Sequence, residues 1–276
     1  MPSRLTDLEG RTALITGASS GIGAACARAL AAHRVRLLII ARRRDRLAEL
    51  ATELAALGAP AVHLVQLDVR QRDATLAALA ALPPEWQAVD ILINNAGLGR
   101  GLDKLHQGDP REWDELIDTN VKGLLYVTRA LLPGMVERQR GHVINLGSVA
   151  SRQSYPGGNI YCATKAAVRM LGECLKQDLL GSPVRVTTIE PGMVETEFSV
   201  VRFRGDSERA HKVYQGMTPM TADDIADAAP VVDHVVKDDC RATMAASLAL
   251  CTAVAEGSAL TVVWTAATAV DVASPD

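Results

Sequence analysis

Two short stretches of this sequence carry residue types that can do chemistry together. Residues 16–23 read Thr-Gly-Ala-Ser-Ser-Gly-Ile-Gly, and residues 161–165 read Tyr-Cys-Ala-Thr-Lys. Asn-Asn-Ala-Gly stands between them at 94–97, and Ser148 precedes Tyr161. Tyr161 and Lys165 are four apart, so on a helix they share a face. A lysine cation nearby favours the phenolate and lowers a pKa that starts near 10. Tyr161 then becomes a usable base when an alcohol is oxidised and an acid when a carbonyl is reduced. Ser148 can hydrogen-bond the same substrate oxygen, and Asn120 can hold a water linked to Lys165. A tyrosine and a lysine at this spacing arise often by chance. Their weight comes from the company they keep.

That company is a dinucleotide turn. A strand, then Gly17, Gly21 and Gly23, then a helix offers a sharp exit, a close backbone approach to a pyrophosphate, and tight helix–strand packing. The helix N-terminus adds free amide donors and partial positive charge. Ser19, Ser20 and Ile22 fall inside the same turn. The spacing is GxxxGxG rather than GxGxxG, and an ordinary glycine turn can look the same. Arg42-Arg43-Arg44 follows the second strand, where an acid would bind the ribose 2′-hydroxyl of NAD. Arginines there favour a 2′-phosphate, so NADP is the expected cofactor, with Arg42 and Arg43 as its contacts. A solvated basic turn is the plainer alternative. Asp68, with Val69 beside it, is placed to accept from the adenine amino group or to cap the next helix.

The elements that must position these residues alternate. Strands are expected at Thr12–Thr16, Val35–Ile40, Val62–Leu67, Val89–Ile93, His142–Leu146 and Val184–Ile189. Helices are expected at Gly21–Ala32, Asp45–Leu57, Arg72–Leu82, Glu112–Arg138 with a kink or break at Pro133, and Asn159–Leu180. The continuous apolar strands suit burial on both faces. The pattern predicts an α/β fold, a doubly wound parallel sheet (Rossmann fold) in a single domain. Ligands should bind at the carboxyl ends of the strands, where every motif above falls.

The chain has 276 residues, 48% hydrophobic and 22% charged, with 3% aromatics. Such a composition suits one compact domain with a core of Ala, Val, Leu and Ile. A net charge of -3 argues against nucleic acid as a partner. Met1–Gly10 shows no apolar stretch of the kind a signal peptide needs. Met244–Val270 is weakly polar, and Glu256 argues against a membrane span there. Five cysteines (Cys26, Cys162, Cys174, Cys240, Cys251) form no CxxC pair, as expected of reduced thiols in the cytoplasm. The histidines show no metal-ligand spacing, so no metal is expected.

The sequence resembles the short-chain dehydrogenase/reductase family over about Leu8 to Ala229. The stretches that carry the resemblance are Thr16–Gly23, Asp68, Asn94–Gly97, Asn120, Ser148, Tyr161 with Lys165, and Pro191-Gly192 with Thr196. The resemblance implies a catalytic tetrad of Ser148, Tyr161, Lys165 and Asn120. It implies that Tyr161 and Lys165 also touch the cofactor, that Pro191, Gly192, Val194 and Thr196 meet the nicotinamide amide, and that Asn94, Ala96 and Gly97 line the adenosine side. Further stretches, Tyr155–Asn159 and Glu197–Asp206 among them, are similar to a branch of NADP-dependent 3-hydroxy acid dehydrogenases acting on serine and allo-threonine. Such substrates carry a carboxylate, for which Arg202, Arg152 and Arg100 are the candidate anchors. Broad carbonyl or ketoacyl reduction, or NADP binding without turnover, are the alternatives. The resemblance also implies a homodimer or homotetramer and a small-molecule substrate. It ends near Ala229. Residues 1–229 form the expected cofactor-binding domain, and 230–276 a divergent segment whose composition changes abruptly, as a frame-altered or native divergent tail would. Leu260–Val270 is β-rich enough for a seventh strand.

Overall fold

Short apolar runs become the strands of one sheet, and the central strands are covered on both faces. The computed structural model describes residues 8–227 and 261–263. The strands are β1 (Thr12–Thr16), β2 (Arg36–Ala41), β3 (Val62–Gln66), β4 (Ile91–Asn94), β5 (His142–Leu146), β6 (Arg185–Glu190) and β7 (Thr261–Val263). Their order is β3-β2-β1-β4-β5-β6-β7. The first six pair in parallel. The short β7 pairs antiparallel with β6, Val262 opposite Ile189. The rest of the 228–276 segment, including Pro230, Glu256, Cys240 and Cys251, lies outside the described residues.

The helices are α1 (Gly21–Ala32), α2 (Arg44–Ala56), α3 (Arg72–Ala80), α4 (Pro84–Gln87), α5 (Pro110–Ile117), α6 (Leu124–Glu137), α7 (Asn159–Asp178), α8 (Phe198–Arg202), α9 (Ser207–Lys212) and α10 (Ala222–Ala226). Alternate residues of one strand feed different cores. Ala13 and Ile15 pack with Leu30 and Leu47 on one side of the sheet. Leu14 packs with Val127, Leu131 and Met135 on the other. Full burial of a large apolar side chain in either core contributes about 1.5–3 kcal/mol. Chain order reverses between β1 and β4, which opens a crevice at their carboxyl ends.

Two expected elements differ. The fourth strand begins at Ile91, because the Asp90 side chain is drawn into polar contacts. Its carboxylate accepts from the Thr12 amide at 3.0 Å and from Arg140 at 2.7 Å. The long helix does not break at Pro133. That residue lies inside α6 on an exposed face, as does Arg129, whose carbonyl loses its partner four residues on and can meet water. The interruption falls earlier, in a wide π-helical turn over Asp118–Gly123 that buries Thr119 and Asn120. Gly123 fits there because a Cβ would come within 2.7 Å of the Val69 side chain.

Candidate active site

The glycine turn is built by exclusion. Gly17 has φ +66°, and a Cβ there would lie 2.9 Å from the Ala96 Cα. A Cβ on Gly23 would lie 2.6 Å from the Gly17 carbonyl. Asn95 seals the arrangement from the end of β4. Its Nδ2 donates to the carbonyls of Thr16 at 2.9 Å and Gly17 at 3.1 Å. Thr16 Oγ1 accepts from the amides of Asn95 and Ala96 at 3.1 and 3.0 Å. Ser20 caps α1 without a side-chain bond, so the first amides of that twelve-residue helix keep their donors for an anion.

Arg43 reaches back onto this turn. It donates to Ser19 Oγ at 3.1 Å and Ser20 Oγ at 2.8 Å. Its Nη1 pairs with Glu197 at 3.0 Å, and Arg46 pairs with the same carboxylate at 2.8 Å. Arg42 is exposed beside it. Asp68 does not cap the next helix, since Gln71 holds that position. Its carboxylate is held by Arg70, with a shortest contact of 2.6 Å. Burial alone would raise the Asp68 carboxyl, but the Arg70 bonds outweigh it and hold the group below its usual range. Val69 is buried in the core beneath. Asn94 departs from expectation. It turns inward, donating to Thr128 at 2.9 Å and Asn145 at 3.0 Å, so Asn95 rather than Asn94 shapes the turn.

Beside the turn lies a cavity of about 680 Å³, within the usual range for small-ligand sites. Gly17, Ser20, Gly21, Ile22 and Ala96 line one part, Ser148, Tyr161, Lys165 and Arg202 another, and Gly97 lies beside Lys165. Pro191, Gly192, Val194 and Thr196 cross between the two parts. Thr196 lies against Gly21, where a Cβ would come within 3.3 Å of it. Glycines that leave no room for a side chain, unspent helix amides and a basic pocket joined to two serines fit a dinucleotide phosphate.

Ser148 follows β5, its hydroxyl accepting from the Ala150 amide at 3.2 Å. The turn it begins is tied to β6: Ser151 donates to buried Glu190, and Arg152 donates to the same carboxylate at 2.8 Å. Lys165 is buried and donates to the Leu146 carbonyl at 2.7 Å, with its Nζ 5.9 Å from the Tyr161 ring centroid. Burial pulls Lys165 down to about 8. Burial also pushes Tyr161 up to about 12, against the opposing pull of the Ser148 hydroxyl and the Arg202 charge. The phenol is therefore not held below its usual range here, because desolvation outweighs the Ser148 hydrogen bond and the Arg202 charge. Asn120 is spent on structure. Its side chain exchanges bonds with the Leu98 backbone at 2.9 and 3.0 Å and donates to Thr164 at 3.0 Å, locking the π turn to α7. Both of its amide hydrogens are thus taken, so a water beside Lys165 would find only an acceptor on this residue.

The three arginines separate cleanly. Arg100 is bound to Glu115 at 2.6 Å and to the Val201 carbonyl at 2.7 Å, and Arg152 to Glu190; neither lines the cavity. Arg202 does line it. Phe198 tilts against Tyr161 with centroids 5.5 Å apart, and Tyr155 and Tyr214 complete the wall. These aromatics and Asn95 are not legible as site residues from spacing, although most of them adjoin a motif that is.

The family model for short chain dehydrogenase matches residues 11–206. NADP-dependent 3-hydroxy acid dehydrogenase YdfG of Salmonella typhi is 49% identical over 216 residues, covering 78% of this chain and 86% of that one. Serine 3-dehydrogenase of Agrobacterium fabrum is 46% identical over 215 residues, covering 78% and 84%. Among solved structures, the closed form of serine dehydrogenase complexed with NADP+ superposes with a TM-score of 0.77 at 47% identity, covering 81% of this chain and 89% of that one.

Proposed function

The chain belongs to the short-chain dehydrogenase family, and from that premise we propose that it moves hydride between NADP and a small 3-hydroxy acid such as serine or allo-threonine. The observation that carries this reading is the cavity in which the glycine turn, Ser148, Tyr161 and Lys165 meet. The relatives named for 3-hydroxy acid and serine oxidation support the substrate class.

Gly17–Gly23 and the α1 amides would hold the pyrophosphate, and Arg43 with Ser19 and Ser20 the 2′-phosphate. Asp68 and Ala96–Gly97 would flank the adenosine, and Pro191–Thr196 the nicotinamide. The bound cofactor supplies the hydride acceptor for oxidation and the donor for reduction. Ser148 fixes the substrate oxygen beside Tyr161. At neutral pH Tyr161 keeps its proton, because burial sets it at about 12, which is the form needed to protonate a carbonyl oxygen. Oxidation asks the same oxygen to take a proton, so it should rise with pH while reduction falls. Lys165, anchored on Leu146, is aimed at the space between Tyr161 and Gly97, where a ribose would lie.

We also read the protein as cytoplasmic and as a homodimer or homotetramer; the exposed Ile117, Leu125 and Met170 support the oligomeric reading, which light scattering checks. No helix among the described residues is long and apolar enough to cross a membrane. The function is tested by steady-state oxidation of serine, allo-threonine, 3-hydroxypropionate and simple alcohols with NADP and NAD. Selective, NADP-dependent turnover of the acids is expected. Equal turnover of neutral alcohols would move the protein among broad carbonyl reductases.

A further inference from the structure

We propose that Arg202 is the receptor for the substrate carboxylate, seated in an aromatic cage beside the reacting centre. The proposal rests on the 3-hydroxy acid reading above. Arg202 is only 8% exposed. Its guanidinium carbon lies 4.9 Å from the Tyr161 ring centroid, 5.4 Å from Phe198 and 5.6 Å from Tyr155. Ring faces attract a cation and fix its plane. Its side chain donates to the Tyr155 hydroxyl at 2.6 Å, and among the described residues its buried Nε has no partner. Gly99 makes the seat, for a Cβ there would come within 2.7 Å of that Nε.

Among the described residues, no carboxylate pairs with Arg202, whereas Arg100 and Arg152 are both neutralised by one. A buried cation answered only by a neutral phenol is costly to keep, and an anionic ligand would relieve the cost. The guanidinium fork matches a carboxylate in two parallel bonds. Arg202 and Tyr161 line the same cavity, and in a 3-hydroxy acid the carboxylate stands one methylene from the carbinol carbon, so receptor and proton carrier belong to neighbouring parts of one small substrate.

The test compares kcat/KM for 3-hydroxypropionate and its methyl ester, with saturating NADP, in wild type, Arg202→Gln, Arg202→Lys and Arg152→Gln. Circular dichroism confirms the fold of each. Wild type and Arg152→Gln are expected to prefer the acid at least tenfold. Arg202→Gln should erase the preference, mainly through KM, and Arg202→Lys should lower it at least threefold by losing the fork. If wild type shows no preference for the acid, the 3-hydroxy acid reading falls and this proposal with it. If wild type prefers the acid and both Arg202 variants keep that preference, Arg202 is not the receptor and the functional reading stands. Should Arg202→Gln fail to fold, Arg202→Lys decides alone.

Discussion

The two ends of the cavity are built on different principles. At the cofactor end, backbone meets backbone: Gly17 packs on Ala96, Gly23 packs on the Gly17 carbonyl, and Asn95 ties the turn to β4. At the substrate end, long side chains from α8 meet across open space: Arg202 stacks among three rings. Glu197, one residue before α8, reaches from there to Arg43 and Arg46 at the cofactor end. The first end has no slack, because a backbone contact cannot swing aside. The second can adapt, because rotamers can change at modest cost. The contrast predicts that small changes at the first end cost more stability than larger ones at the second.

The largest effect is expected from Gly17→Ala. The left-handed backbone costs an ordinary residue about 1–2 kcal/mol, and the clash with Ala96 adds to it. Denaturant titration should show a loss of about 3 kcal/mol, and NADPH binding by fluorescence should disappear. A well-folded Gly17→Ala that binds NADPH normally would break the contrast.

Lys165→Met should stabilise the protein while removing its activity, since Lys165 is buried at a cost. The folded-state value of about 8 lies below the usual 10.5. Below pH 8 both folded and unfolded chains hold the proton, so wild type carries the full penalty. Between 8 and 10.5 the folded chain sheds it first, and wild-type stability rises. Allowing for the lost bond to Leu146, the variant should gain about 2 kcal/mol at pH 7, shrinking as pH passes 8. Thermal melts from pH 6.5 to 10 measure this.

Arg43→Ala joins the two ends. Removing a charge-assisted contact worth about 1.5–3 kcal/mol should raise the NADP Michaelis constant at least tenfold and leave that for NAD nearly unchanged. Equal losses for both cofactors would place the 2′-phosphate elsewhere. Glu197→Gln should have the smallest effect. Burial would raise its carboxylate, but Arg43 and Arg46 hold it below its usual range, and it competes with a phosphate for Arg43. The ion pairs are partly exposed and individually weak. NADP should therefore bind about threefold tighter, by calorimetry, with NAD unaffected. Weaker NADP binding would show that Glu197 clamps the cofactor instead of competing with it.

The same contrast explains what the sequence discloses. The alternation of strands and helices, the glycine turn and the Tyr161–Lys165 pair are readable because local patterns and fixed covalent spacings produce them. The π turn at 118–123 is not, because no local residue announces it. It follows from Asn120 bonding Leu98 and Thr164, which are 22 and 44 residues away. Asn94 and Asn95 look alike in sequence, and only the facing of β4 decides which one seals the turn. Arg202, Arg152 and Arg100 are equal candidates until tertiary packing gives two of them carboxylate partners. The Tyr161 pKa moves opposite to expectation for a related reason: the sequence displays the neighbouring charge and hides the burial that outweighs it.

The central claim is that Tyr161 carries the proton in an NADP-dependent oxidation. It is tested most directly by Tyr161→Phe, which keeps the ring between Phe198 and Arg202 and removes only the hydroxyl. Turnover of 3-hydroxypropionate should fall at least about a hundredfold, the scale of general acid–base assistance, while NADPH binding by fluorescence is retained. Turnover within a few-fold of wild type would contradict the account and assign the proton to another group.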